Sequence, residues 1–201
     1  MTITIPTSIP SEPRLSRPDR WLRDILHRTS TGGVRAGCDA QSLAMSITTG
    51  VIRATPYRIP LPPELGHIDL PPAQGNEGTP HRRLRNLGRA LARAIDPQSW
   101  VKEERRTPLS NSTAILDIYS ESRFGRIAIE LGARDGRSIP PILNLAVDHV
   151  LILPFTGWGV HAFTGWWFHH PHVHELPAVS RESMTDAIEQ MMPSTLFNCA
   201  N

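Results

Sequence analysis

Between residues 169 and 175 the chain reads HHPHVHE, with His170, His172 and His174 two residues apart. Neutral imidazole is a good ligand for zinc, copper, nickel or iron. On an extended strand alternate side chains leave from one face, so this spacing predicts three imidazoles on one side, a candidate transition-metal site with zinc as the first choice. No longer metal signature supports it: HExxH is absent, and His174-Glu175 stands where HxHxDH requires Asp-His. The simpler reading is a row of half-exposed histidines beside an aromatic cluster.

That cluster lies just upstream. FTGWGVHA (155–162) and FTGWWFHH (163–170) share F-T-G-W-x-x-H at a period of eight. Two copies are too few for a repeat architecture and predict a hairpin or paired turns. Trp158, Trp166 and Trp167 sit here, and exposed tryptophan is a residue that often dominates an interface. The segment is therefore a second candidate contact surface. Its GxGxxA string is followed by no convincing helix and is set aside as a nucleotide fingerprint.

The third candidate is cationic. HRRLRNLGRALARAID places Leu84, Leu87, Leu91 and Ile95 on one helical face and Arg82, Arg85, Arg89 and Arg93 on another, with no acid between positions 82 and 93. Such a ridge can meet nucleic-acid phosphates or an acidic protein surface, and it can equally be a solvated face. No helix-turn-helix spacing or interleaved aromatic residues accompany it.

Asp117, Glu130 and Asp148 interrupt apolar strand-like runs. Carboxylates on neighbouring strands could hold magnesium or act as acid and base, but the E-x-K expected of restriction-nuclease-like sites is missing after Glu130. The plain expectation is that they mark the solvent side of half-buried strands. Lys102 is the one lysine among 21 basic residues. No GxxxxGK[ST] loop can be written, which excludes P-loop nucleotide hydrolysis.

Elements that would position these residues follow in order. Residues 1–18 read as a flexible proline-rich tail, and 19–201 as one α+β domain. RPDRWLRDILHRTSTGG and DAQSLAMSITTG read as short helices, the second capped by Asp39 and closed by Gly50. Residues 56–80, with seven prolines, read as an extended connector. TAILDIY and RIAIELG alternate as a hairpin, Asp135-Gly136 suits a turn with positive φ, and PILNLAVDHVLILP reads as a central strand. SMTDAIEQMMP reads as a final helix with a Ser183–Asp186 capping box. Helices, then strands, then a helix predict N-terminal helices packed on a mainly antiparallel C-terminal sheet rather than a βαβ series.

Composition sets the remaining bounds. The 201 residues carry a net charge of +2, but the basic excess lies before residue 110 and the acidic excess after it. Arginine in place of lysine is the mark of GC-rich coding, as in many bacteria. No apolar run is long enough to cross a bilayer, and the N-terminal stretch lacks the pattern of a signal peptide. Cys38 and Cys199 read as reduced thiols, which together predicts a cytoplasmic protein.

LHRTS (26–30) followed by SITTGVIRA (46–54) resembles the opening of small ADP-ribosyltransferases. The resemblance spans about thirty residues. It implies that His27, Thr29 and Ser30 face NAD, with Glu130 or Glu175 as the catalytic acid, although Arg28 stands where that family has glycine. Three functions are thus expected, in this order: a non-enzymatic adaptor- or inhibitor-type protein binding another protein, an enzyme (metal-dependent or ADP-ribosyltransferase-like), and a nucleic-acid binder.

Overall fold

A computed structural model describes residues 34–35, 41–61, 78–110, 112–132, 134–154 and 161–191. It is an α+β arrangement built on a six-stranded mixed sheet. In chain order the elements are β1 (Val34–Arg35), α1 (Gln41–Thr48), β2 (Arg53–Pro60), α2 (Thr79–Ile95), β3 (Trp100–Leu109), β4 (Ser112–Ser122), β5 (Gly125–Leu131), β6 (Arg134–Asp135), α3 (Ile139–Leu145), β7 (His149–Leu153), β8 (Ala162–His169) and α4 (Arg181–Met191). The large sheet runs β2-β8-β7-β5-β4-β3, and β1 pairs with β6 apart from it.

Every neighbouring pair in the large sheet is antiparallel except β5 with β7. Parallel neighbours need a crossover, and β6, a 3-10 turn and α3 supply it. The single continuous strand expected over PILNLAVDHVLILP is therefore two elements. Pro140 is accepted in the first turn of α3, where its missing N–H costs nothing. Asp148 then turns the chain into β7, accepting from the Arg126 backbone N–H at 2.8 Å.

Helices cover both faces. On one, α2 and α4 bury Leu84, Leu87, Leu91, Met184 and Ile188 against Ile127, Ile129, Leu151 and Phe163. On the other, α1 and α3 bury Leu43, Ile47, Ile142 and Leu143 against Ala128, Val150, Ile152 and Phe168. This second layer is why β7 is buried at all five positions instead of alternating.

The predicted α2 stripe packs as expected, and Gly88 lets the helix sit close. A Cβ there would stand 2.6 Å from Ile118 Cδ1. Asp96 ties off the helix, its carboxylate accepting from Gln98 N at 3.2 Å and, across the β4–β5 turn, from Arg123 N at 2.8 Å. The β4–β5 hairpin is present, with two residues between the strands. The turn expected at Asp135-Gly136 is a 3-10 turn instead, Asp135 capping Arg137 N, and Gly136 is not among the positive-φ residues. Helix α4 starts earlier than its proposed capping box: Ser183 N donates to Ser180 Oγ, and Ser180 N to Ser183 Oγ, both at 3.1 Å. Residues 56–60, read as the start of the connector, belong to β2, and an edge strand is where Pro56 and Pro60 are tolerated. No helix among the described residues is long and apolar enough to cross a membrane.

Candidate functional site

The arginine helix resolves into two kinds of residue. Arg85 is 3% exposed and lies 3.7 Å from Glu103 of β3, on the side where α2 covers the sheet. One turn on, Arg89 reaches the same carboxylate at 3.3 Å but keeps 40% of its side chain exposed. Arg93, a further turn along, donates to the Pro97 carbonyl at 3.2 Å. Arg82 lies half-buried in the first turns. The ridge seen in the sequence is thus interrupted at buried Arg85, with half-buried Arg82 before it and, in the C-terminal half, half-buried Arg89 and Arg93.

That half borders a cleft of about 590 Å³ lined by Arg89, Arg93, Val101, Lys102, Glu103 and the end of α4 at Gln190 and Met191. Among the described residues three cations and one carboxylate line it, and that carboxylate is already shared by Arg85 and Arg89. Among these residues the surplus is positive, in a concave site that Val101 and Met191 also line, which is the setting in which charge attracts a ligand effectively. Lys102, noted in the sequence only for what it excludes, belongs to this site. The missing signal was pairing: nothing in WVKEERR tells which side of an edge strand meets the arginine helix.

The histidine segment is placed otherwise than expected. β8 ends at His169, and Pro171 and His172 form a turn. His170, His172 and His174 therefore do not share a strand face. His170 stacks on His172 with ring centroids 5.4 Å apart and its Nδ1 lies 2.9 Å from the Val51 carbonyl. Among the described residues no group of three or more histidine, cysteine, aspartate or glutamate side chains converges as a metal ion would need.

What the aromatic segment builds is core. Trp167 is buried and Trp166 half-buried, while Trp158 lies outside the described residues. Trp167 donates from Nε1 to His149 Nδ1 at 3.2 Å and stacks on His169 at 4.0 Å between centroids. His149 Nδ1 accepts, so its proton sits on Nε2, which is 3.0 Å from the Phe124 carbonyl. Burial pushes both imidazoles below the usual histidine range. Tyr57 meets Trp167 edge-on and donates to the Pro177 carbonyl at 2.6 Å. Every polar group named here has a partner within the fold, which is the pattern of a satisfied core.

Of the three strand carboxylates, Asp148 pairs with Arg126 at 3.2 Å near the surface. Asp117 accepts from the Leu131 N–H at 2.8 Å, just beyond the last β4–β5 pair, Ile118 with Ile129. Glu130 is a correction: expected on a solvent side, it is 1% exposed, because α3 and its neighbours cover that face. Arg134 donates to its Oε2 at 2.7 Å, and its Oε1 has no hydrogen-bond partner among the described residues. Burial, with Asp117 adding repulsion, pushes the Glu130 carboxyl up to about 8 against the pull of Arg134. His27, Thr29, Ser30, Cys38 and Cys199 lie outside the described residues, and Glu175 is exposed beyond β8.

Comparison with protein-family models, with curated proteins and with solved structures yields no match.

Proposed function

We propose that this is a non-enzymatic, adaptor- or inhibitor-type binding protein of the bacterial cytoplasm that engages an acidic surface of another protein through the cleft between α2, β3 and α4. The observation that carries the reading is the imbalance inside that cleft: among the described residues that line it, Arg89, Arg93 and Lys102 outnumber the one carboxylate, Glu103. A protein partner fits better than nucleic acid. Tracking a phosphate backbone needs an unbroken row of cations, and the row on α2 is broken at buried Arg85. The Trp/His segment contributes less contact surface than its composition suggests, through half-buried Trp166 and exposed His172 and His174.

The test uses labelled poly-L-glutamate and a labelled DNA duplex as probes, titrated with the full chain at rising salt. Poly-L-glutamate is expected to bind, to weaken with salt, and to lose about tenfold in affinity in the Arg93→Glu/Lys102→Glu double variant, roughly the 1.4 kcal/mol that separates such affinities. Duplex binding as tight as that of poly-L-glutamate overturns the reading in favour of a nucleic-acid partner. Binding unaffected by the double variant removes the cleft from the account.

A further inference from the structure

Glu103 stands between the two kinds of arginine on α2 and meets them with different oxygens. Its Oε2 lies 3.7 Å from Nη1 of Arg85, whose side chain is 4% exposed. Its Oε1 lies 3.3 Å from Nη1 of Arg89, whose side chain is 40% exposed. The carboxylate therefore spans the step from the interior to the cleft that it lines with Arg89, Arg93 and Lys102.

The two ion pairs differ in what parting them costs. Water cannot take the place of an acid beside a buried cation, so the pair with Arg85 is costly to break. Beside Arg89 water or another carboxylate can take that place, and an ion pair at such exposure contributes little. The docking of α2 on β3 thus fixes Glu103 from behind and leaves its outer oxygen on an arginine that can be drawn away. Arg93 is engaged by the Pro97 carbonyl at 3.2 Å, a neutral acceptor that holds a guanidinium less strongly than a carboxylate does. Among the described residues that line the cleft, the acid that a ligand has to outdo is Glu103.

We infer that Glu103 is an internal competitor for the partner's acid. In the unbound protein it neutralises Arg89. On binding, Arg89 exchanges Oε1 of Glu103 for a carboxylate of the partner, while Arg85 keeps hold of Oε2. A tethered acid acts at a high effective concentration, so an isolated carboxylate displaces it poorly. A cluster of acids that also reaches Arg93 and Lys102 gains further contacts in the same step and offsets the displacement. The inference rests on the proposed acid-binding role of the cleft and adds the group that regulates access to it.

Labelled poly-L-glutamate titrated with the full chain tests it, as wild type, Glu103→Gln, Glu103→Asp and Glu121→Gln at one salt concentration. Glu103→Gln is expected to bind about fivefold tighter than wild type and to unfold at a lower urea concentration, since it also gives up the pair with Arg85. Glu103→Asp keeps the charge and withdraws it by one methylene. It is expected to bind about twofold tighter, and it carries the test by itself if the glutamine variant does not fold. Glu121→Gln removes the same charge from an ion pair with Arg105 at 3.3 Å, away from the residues that line the cleft, and is expected to bind as the wild type does. Unchanged or weaker binding by both Glu103 variants, with the wild type still binding, overturns the competitor and leaves the acid-binding role standing. Equal tightening in Glu103→Gln and Glu121→Gln, with none in Glu103→Asp, assigns the gain to net charge and overturns it as well. Absence of binding in every one of these proteins overturns both.

Discussion

Replacing Glu130 with glutamine is expected to flatten the dependence of stability on pH across the neutral range. The wild-type carboxyl moves from an ordinary value of 4.5 to about 8 on folding. Between those values the folded state holds a proton that the unfolded state has released, so stability is full below the lower value and is lost as pH rises through the upper one. At 1.36 kcal/mol per pKa unit, the loss between about pH 5.5 and about pH 9 is about 3 kcal/mol. Arg134 and Asp117 are the charged groups that face the carboxyl, and glutamine removes the titration while keeping the volume. His149 and His169 act in the opposite sense, since their lowered values add stability as pH rises towards 6.5. Urea denaturation of both proteins at the two ends of the window measures the difference. Wild-type and variant curves that stay parallel would mean that Glu130 is ionised throughout.

Gly165→Ala is expected to cost about 2–4 kcal/mol, through overpacking that side-chain rotation cannot relieve. A Cβ at Gly165 would stand 2.8 Å from the Ile152 carbonyl oxygen and 3.3 Å from Leu153 Cδ2. The first of these is backbone, on a strand buried along its length, and moving it would disturb the ladders of β7 with both β5 and β8. Thr164→Ala, at an exposed position on the same strand, serves as the control and should cost under about 1 kcal/mol. Equal denaturation midpoints for the two variants would refute the account.

Gly165 also explains part of the F-T-G-W repeat. In the second copy Phe163 and Trp167 point into the α2/α4 layer, Phe168 into the other, and the glycine lets β8 approach β7. The sequence carried that much because aromatic residues and glycine at fixed intervals are packing signals. Helix α2 was readable from Leu84, Leu87, Leu91 and Ile95 for the same reason, and the β4–β5 hairpin from its alternation. α3 was not. IPPILNL is apolar on all sides, without a period to separate helix from strand, and its two prolines mark a helix start only once the turn before them is known.

The other misplacements follow from that one and from pairing. Alternation in RIAIEL puts Glu130 opposite the Ile127 and Ile129 face correctly, but the reading of that side as solvent depended on no helix being there. The spacing of two in HHPHVHE suits a strand, whereas β8 ends at His169 and the chain turns at Pro171. The cleft itself could not be read, since it joins α2, β3 and α4, and the contact of Arg85 and Arg89 with Glu103 is set by tertiary docking rather than by spacing.

The order of the sheet carries a consequence for how the chain assembles. β3, β4 and β5 are consecutive in both sequence and space, and β7 and β8 join by short connections. Among the described residues β2 pairs with β8 alone, Arg53 against His169, across a long sequence separation. Contacts of that separation carry the largest loop-closure entropy and form late. Pulse-labelled hydrogen exchange during refolding should therefore find the amides of β4 and β5 protected while those of β2 still exchange. Simultaneous protection would show instead that the long-range pairing is part of the nucleus. On the expected order, the β3 edge takes shape with the first strands to form, and the opposite edge of the sheet is the last to close.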